Sequence, residues 1–281
     1  MRRLSVNWSL GMAAGTALVL ELIVLFFLLR FLRSLGVTSP NYQGIQIPVA
    51  AGISFPATLF LVYGIERLAG CYPGETAAVY LAAVTGISLL GLIDDLLGTR
   101  DTLGFRGHIR KLFKGELTTG GLKAVGGGLV ALYTSVMLFS TWQDILINTL
   151  LIALFTNLIN LLDLRPGRAI KGFLTVFVIL LFATDPELFL FGPVVAAVIA
   201  YFPFDLKAKA MMGDSGSNIL GFTLGVMCAT GSDMPARLGV LGFLILVHLF
   251  TERYSLTEII ERWALLRFLD NLGRGGERRG Q

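Results

Sequence analysis

Four aspartates stand where a carboxylate is costly to keep, at the ends of apolar runs. Asp94 and Asp95 close one in Gly91-Leu-Ile-Asp94-Asp95-Leu, and Asp163 follows another in Asn157-Leu-Ile-Asn160-Leu-Leu-Asp163. Asp214 opens a third in Met-Met-Gly213-Asp214-Ser215-Gly216-Ser217-Asn218. Taken one at a time, each reads as a solvated loop acid. Adjacent aspartates repel unless cations or shared protons compensate, and hard oxygen ligands from separate helices are what Mg²⁺ uses when it also holds a phosphate substrate. Gly-Asp-Ser-Gly-Ser at a helix start adds free N–H groups and the positive dipole end, which favour a phosphate. An N-cap role for Asp214 or Ser215 needs no ligand and stays open beside it.

A basic stretch accompanies these acids. Arg100, Arg106, His108, Arg110, Lys111 and Lys114 crowd the 96–118 loop, where they suit anionic lipid headgroups and a pyrophosphate equally well. His108 and His248 are the only histidines, which excludes a His-rich metal site.

The elements that must position these groups follow from composition. The chain has 281 residues, 54% hydrophobic and 15% charged, with a mean hydropathy of +0.74. A soluble domain carries about 25% charged residues, so a water-soluble, disordered or disulfide-scaffold chain is excluded. Cys71 and Cys228 read as packing residues, with a disulfide between them left open.

Apolar stretches long enough for roughly 30 Å of hydrocarbon fall at about 8–32, 47–69, 76–93, 119–140, 144–162, 169–184, 187–203, 215–231 and 236–250. The expected fold class is therefore all-α, a polytopic integral membrane helical bundle of about nine transmembrane helices. The 169–184 and 236–250 segments are short enough for one to be re-entrant. The first run is too long for a signal-peptide core and reads as a retained helix. Residues 1–250 form one transmembrane domain, followed by a cytoplasmic amphipathic helix and basic tail over 251–281.

Seventeen of the 23 Lys and Arg residues fall on the side of the odd-numbered connections. The positive-inside rule makes that side, with all four aspartates, cytoplasmic and puts the N-terminus outside. The net charge of +4 thus speaks for topology, not for nucleic acid. Glu21 is the one acid deep in a span and reads as a helix-packing or lipid-interface residue. Transporter sites lie near the midplane, so the clustering at one face speaks against transport.

In order and membrane position, Gly91-Leu-Ile-Asp-Asp95, Asn157-x-x-Asn160-Leu-x-Asp163 and Met212-Gly-Asp-Ser-Gly-Ser-Asn-Ile-Leu-Gly221 resemble the motifs of the polyprenyl-phosphate N-acetylhexosamine-1-phosphate transferases (glycosyltransferase family 4). This family includes the phospho-N-acetylmuramoyl-pentapeptide transferase of peptidoglycan synthesis. The resemblance runs over roughly residues 33–225. It implies Mg²⁺-dependent transfer of a sugar-1-phosphate from a UDP-sugar to a polyprenyl phosphate in a bacterial-type cell membrane, with UMP released. Asp214 would bind Mg²⁺, Asp94 would bind or deprotonate the prenyl phosphate, and Asp95 would support that site. Asn160 and Asp163 would position the nucleotide diphosphate, with Gly213 and Ser215 beside it, and Lys123 would neutralise phosphate charge. The implied partners are polyprenyl phosphate, nucleotide-sugar and membrane lipids, with a homodimer left open.

The departures from the family pattern are specific. Pro166 stands where the family's second acid follows Asp163, in Asp163-Leu-Arg165-Pro166-Gly167-Arg168. The late His-x-His-His loop is missing, and the Ser39–Gly44 loop matches only loosely. In place of the histidines, Ser255-Leu-Thr-Glu258 reads as a capping box, followed by apolar residues at helical spacing and a stop at Gly273. Two readings result: a divergent transferase in which Arg165, Arg168 and the 96–118 insertion recognise another donor, or a homologue that binds prenyl phosphate or a biosynthetic partner without turnover.

Overall fold

The computed structural model describes residues 2–70, 74–98 and 118–274, with the side chains of residues 2–9 left out of the description. Cys71, the basic residues of the 99–117 stretch, and Arg278 and Arg279 of the tail lie outside the described residues. Among the described residues, eleven α-helices run in order as α1 (Arg2–Ser34), α2 (Ser54–Leu68), α3 (Glu75–Leu97), α4 (Thr119–Leu138), α5 (Trp142–Leu162), α6 (Arg168–Ala183), α7 (Leu188–Leu206), α8 (Asp214–Gly231), α9 (Met234–Thr251), α10 (Leu256–Arg262) and α11 (Ala264–Asn271). The chain is an all-α, multi-pass membrane protein.

Helices α1 to α9 fall on the nine apolar segments of the sequence, though residues 47–53 of the second form a strand end and a 3-10 turn and leave α2 at 15 residues. Among the described residues six helices, α1, α3, α4, α5, α7 and α9, are long and apolar enough to cross a membrane. The 169–184 segment is short, as expected, at 16 residues. The 236–250 segment is not: α9 has 18 residues and qualifies as a full span.

Helix α8 is the axis of the bundle. Every residue from Ser215 to Ala229 is buried, because glycines let its neighbours reach its backbone. A Cβ at Gly221 would stand 2.3 Å from the Phe155 carbonyl oxygen of α5, and one at Gly225 would stand 2.6 Å from the Ile152 Cα. Without a hydrophobic drive between helices in lipid, such small-residue contacts supply the packing. Glu21, fully buried in α1, accepts hydrogen bonds from Ser54 (2.5 Å) and Thr58 (2.6 Å) of α2. It is a helix-packing residue.

Two features were not visible in the sequence. The first loop is a small antiparallel ribbon, Thr38–Pro40 paired with Gln46–Pro48. Its continuation docks on the segment before α8, with the Met211 N–H donating to the Pro48 carbonyl (2.8 Å) and the Ala51 and Gly52 N–H groups donating to the Met211 and Met212 carbonyls (3.0 and 2.9 Å). The C-terminal segment is also two helices, not one, broken at Trp263. Ser255 makes no side-chain cap bond, so the capping box does not close, whereas Gly273 at φ +78° ends the segment as expected.

Candidate functional site

Two helix ends and two helix starts converge at a single end of the bundle. Helix α3 ends with Asp94 and Asp95, α5 ends with Asn160 and Asp163, and α8 begins at Asp214. Helix α4 starts at Thr118, whose hydroxyl accepts from the Gly121 N–H at 3.0 Å, and this places Lys123 in the next turn.

The N-cap of α8 is Gly213, at φ +71°, a backbone conformation that favours glycine, and it offers no side-chain cap. The cap comes instead from α3. The Asp214 and Ser215 N–H groups donate to the two carboxylate oxygens of Asp95 at 2.8 and 3.0 Å. A Cβ at Gly213 would stand 2.5 Å from an Asp95 oxygen, so glycine is also what leaves Asp95 room. The N-cap role left open for Asp214 or Ser215 is thus filled by neither: both lie inside the helix, after Gly213. The Ser215 hydroxyl is buried and donates back to the Met212 carbonyl at 3.2 Å, facing the protein interior.

Each Asp95 oxygen thus accepts a backbone N–H of α8, and the Asp214 side chain is left to the polar groups of α4 and α5. Lys123 donates to Asp214 Oδ2 as an ion pair, and Asn160 Nδ2 donates to Asp214 Oδ1 (2.8 Å) and to the Ser217 hydroxyl (3.0 Å). Asp94 lies within hydrogen-bonding reach of both the Thr119 hydroxyl and the Asp214 carboxylate. Asp94, Lys123, Asn160 and Asp214 are all half-buried, so the cluster opens to the surface.

Among the described residues, the neighbouring Asp94 and Asp214 carboxylates share one ammonium, that of Lys123, which pairs with Asp214. Among the described residues, no group of three His, Cys, Asp or Glu side chains is arranged to hold a metal ion. The Asp94 and Asp214 pair instead fits a hard divalent cation that takes one or two protein carboxylates and completes its shell with water and substrate phosphate.

Asp163 caps the end of α5, its N–H donating to the Asn160 carbonyl at 3.0 Å. Burial pushes its carboxyl well above the usual carboxylate range, and Asp205, Asp214 and Asp95 push it further, with Lys123 opposing. Asp205 is a site neighbour that the sequence reasoning missed. It is buried at the end of α7 and accepts from the Gly167 N–H at 2.7 Å. Like Asp94, Asp95 and Asp163, it is an acid at the end of an apolar run, and that signal was available. Ser217 was missed as an Asn160 partner.

Arg165 and Arg168 are drawn away from this cluster. Arg165 pairs with Glu261 of α10. Arg168 makes a two-pronged bond to Asp270 of α11 (2.8 and 2.9 Å) and a third to the Thr257 hydroxyl (2.9 Å). The structure therefore brings Asp94, Asp95, Lys123, Asn160, Asp163, Gly213, Asp214 and, through its N–H, Ser215 together and leaves the two arginines with the C-terminal helices.

The glycosyl transferase family 4 profile matches residues 77–232, the stretch from α3 through α8 that carries every acid of the cluster. The chain is also similar to the undecaprenyl-phosphate alpha-N-acetylglucosaminyl 1-phosphate transferases of Escherichia coli K12, Shigella flexneri and Escherichia coli O157:H7. Each is 27% identical over 223 residues, covering 71% of this chain and 56% of the relative. The chain thus spans about half the length of these curated relatives. Over the helices that build the site, and with the motif order intact, the chain belongs to glycosyl transferase family 4.

Proposed function

We propose that the chain transfers a sugar-1-phosphate from a nucleotide-diphospho-sugar, of the UDP-N-acetylhexosamine type, to a polyprenyl phosphate at the cytoplasmic face of a bacterial-type membrane. The observation that carries this reading is the meeting of Asp94, Lys123, Asn160 and Asp214 from four helices at one half-open end of the bundle.

In the reaction, an oxygen of the prenyl phosphate attacks the sugar-bearing phosphorus of the donor. A new P–O bond forms, the bridging P–O bond breaks, and the nucleoside monophosphate leaves with its electron pair. Asp94 binds the acceptor phosphate and takes its proton when that oxygen is protonated. Lys123 neutralises phosphate charge, while Asn160 and Asp163 align the diphosphate. Asp95 keeps the start of α8, and with it Asp214, in place. Asp214 with Asp94 would hold Mg²⁺, which when bound neutralises charge on the diphosphate oxygens. Such catalysis is mostly positioning and charge neutralisation.

A second reading, binding of prenyl phosphate or a biosynthetic partner without turnover, is favoured by Pro166 in place of an acid and by the engagement of Arg165 and Arg168 elsewhere. Purified chain with polyprenyl phosphate, Mg²⁺ and a panel of nucleotide-diphospho-sugars separates the two. Nucleoside monophosphate release that Asp214→Asn abolishes supports the transferase. No release with any donor, alongside prenyl-phosphate binding that depends on Asp94, supports the second reading, and loss of both overturns the site assignment.

A further inference from the structure

Helix α11 is amphipathic in the reverse sense to a surface helix of a soluble protein. Its polar stripe faces the protein. Asp270, 5% exposed at its side chain, is held by Arg168, itself 5% exposed, and by Arg274 at 3.0 and 2.9 Å. Lys171 of α6 donates to the Leu269 and Asp270 carbonyls at 2.9 and 2.7 Å, satisfying carbonyls that the last turn leaves unpaired. Arg274 also donates to the Pro166 carbonyl at 2.8 Å. The inward face is thus a set of charged groups fastened to the 163–168 loop.

The apolar stripe faces away from the protein. Leu265, Leu266, Phe268, Leu269 and Leu272 recur at helical spacing and are all exposed, Leu265 at 70% and Phe268 at 62%, and Trp263 at the break between α10 and α11 is 67% exposed. A contiguous apolar patch of this kind needs an apolar neighbour. The position of the segment decides which one. It follows α9, a membrane-span candidate ending at Thr251, after a turn of four residues, and is tied at its far end to the loop that follows α5, another span candidate. Both tethers are span ends, so the segment lies in the plane of the membrane–water boundary. Arg262 and Arg267 are exposed on it, where arginines extend to headgroups, and Trp favours that boundary.

We propose that α10 and α11 form an interfacial anchor: the outward stripe of Trp263, Leu265, Leu266, Phe268, Leu269 and Leu272 lies in the headgroup–acyl boundary of the phospholipid bilayer that the chain spans, while the Arg168–Asp270–Arg274 cluster ties the loop bearing Asp163 to that anchor. Folding turns Asp270 inward and leaves the apolar side of α11 for lipid, as in helices that lie on membranes. This inference stands whether or not the chain turns over substrate.

The test is tryptophan quenching of the full chain in nanodiscs of phosphatidylcholine and phosphatidylglycerol whose acyl chains carry bromine at a shallow or a deep position. The difference between wild type and Trp263→Phe isolates Trp263 without changing Trp8 or Trp142. The expected result is a blue-shifted Trp263 component that loses intensity with shallow bromines and loses less with deep ones. Emission at the wavelength of a water-exposed indole, unquenched at both depths, would overturn the proposal. So would a blue-shifted component that neither bromine quenches, since protein and not lipid would then cover the stripe; cross-linking into dimers would identify a second copy as the cover. If Trp263→Phe does not fold, Phe268→Trp is the reciprocal probe, with added shallow quenching expected and its absence overturning the anchor.

Discussion

Two charged clusters sit at one end of this bundle, and they are built on opposite principles. At the Asp94–Asp214 cluster the groups are half-buried and, among the described residues, carboxylates outnumber cations, with Lys123 paired to Asp214 and side chains 18% and 26% exposed. At the Arg168–Asp270–Arg274 cluster, Asp270 is held on both sides and the Arg168 pair is 5% exposed. A cluster that is closed and paired has nothing left to bind. One that is half-open, with carboxylates in excess among the described residues, keeps affinity for a cation, whereas the start of α8 is closed to a phosphate because Asp95 and Gly213 already take its first N–H groups. The closed cluster holds the fold together, and the open one is where the proposed chemistry would take place.

The largest expected effect tests the open cluster. Asp214→Asn should lower nucleoside monophosphate release by roughly 10²–10³-fold, the scale of losing one positioned electrostatic partner, while leaving the melting temperature in detergent nearly unchanged. A large loss of stability with activity intact would reverse the comparison. Next is the closed cluster: Asp270→Ala strands buried cations and should cost about 3–5 kcal/mol of stability, read by denaturant unfolding. Gly213→Ala forces a Cβ to within 2.5 Å of an Asp95 oxygen at a backbone angle that disfavours alanine. It should cost about 1–3 kcal/mol and also lower activity, because Asp95 must move.

The two regions should also respond to acid in opposite directions. Burial works against the Asp270 charge, but the Arg168 and Arg274 bonds prevail and hold its carboxyl below the usual value of 3.8. Its contribution to stability is therefore present above that value and lost as pH falls through the lower folded-state value. Burial raises the Asp163 carboxyl, so the folded chain takes up that proton while the unfolded chain is still ionised. Lowering pH from above the raised value toward 3.8 then stabilises the fold at Asp163. Unfolding measured against pH should lose this mild-acid gain in Asp163→Asn and lose the stronger-acid fall in Asp270→Asn. The smallest effect belongs to Ser255→Ala. With no cap bond at Ser255, it should change stability by less than about 0.5 kcal/mol, below the ~1 kcal/mol of a working N-cap.

Much of this was legible in the amino-acid order. Apolar runs place α1 to α9 because the length of a helix that crosses hydrocarbon is set by the hydrocarbon, and α9 differs from its segment only at the ends. The aspartates at span ends were legible because a carboxylate there stands out against its neighbours. Asp205 carries the same signal. The Thr38–Pro48 ribbon was not legible, since strands of three residues carry no period. Nor was the break at Trp263, where apolar spacing continues across it.

The sequence alone thus determined the membrane class, the helical segments and the motif order, all properties of local composition and periodicity. Only the tertiary structure decided what each charge touches. Asp95 caps a helix 119 residues away, Arg168 meets Asp270 across 102, and Arg165 reaches α10 instead of the acid cluster. Local pattern is carried by a residue's near neighbours in the chain, whereas the cost of leaving a buried charge unpaired is settled by whichever partner the packing of the helices brings within reach.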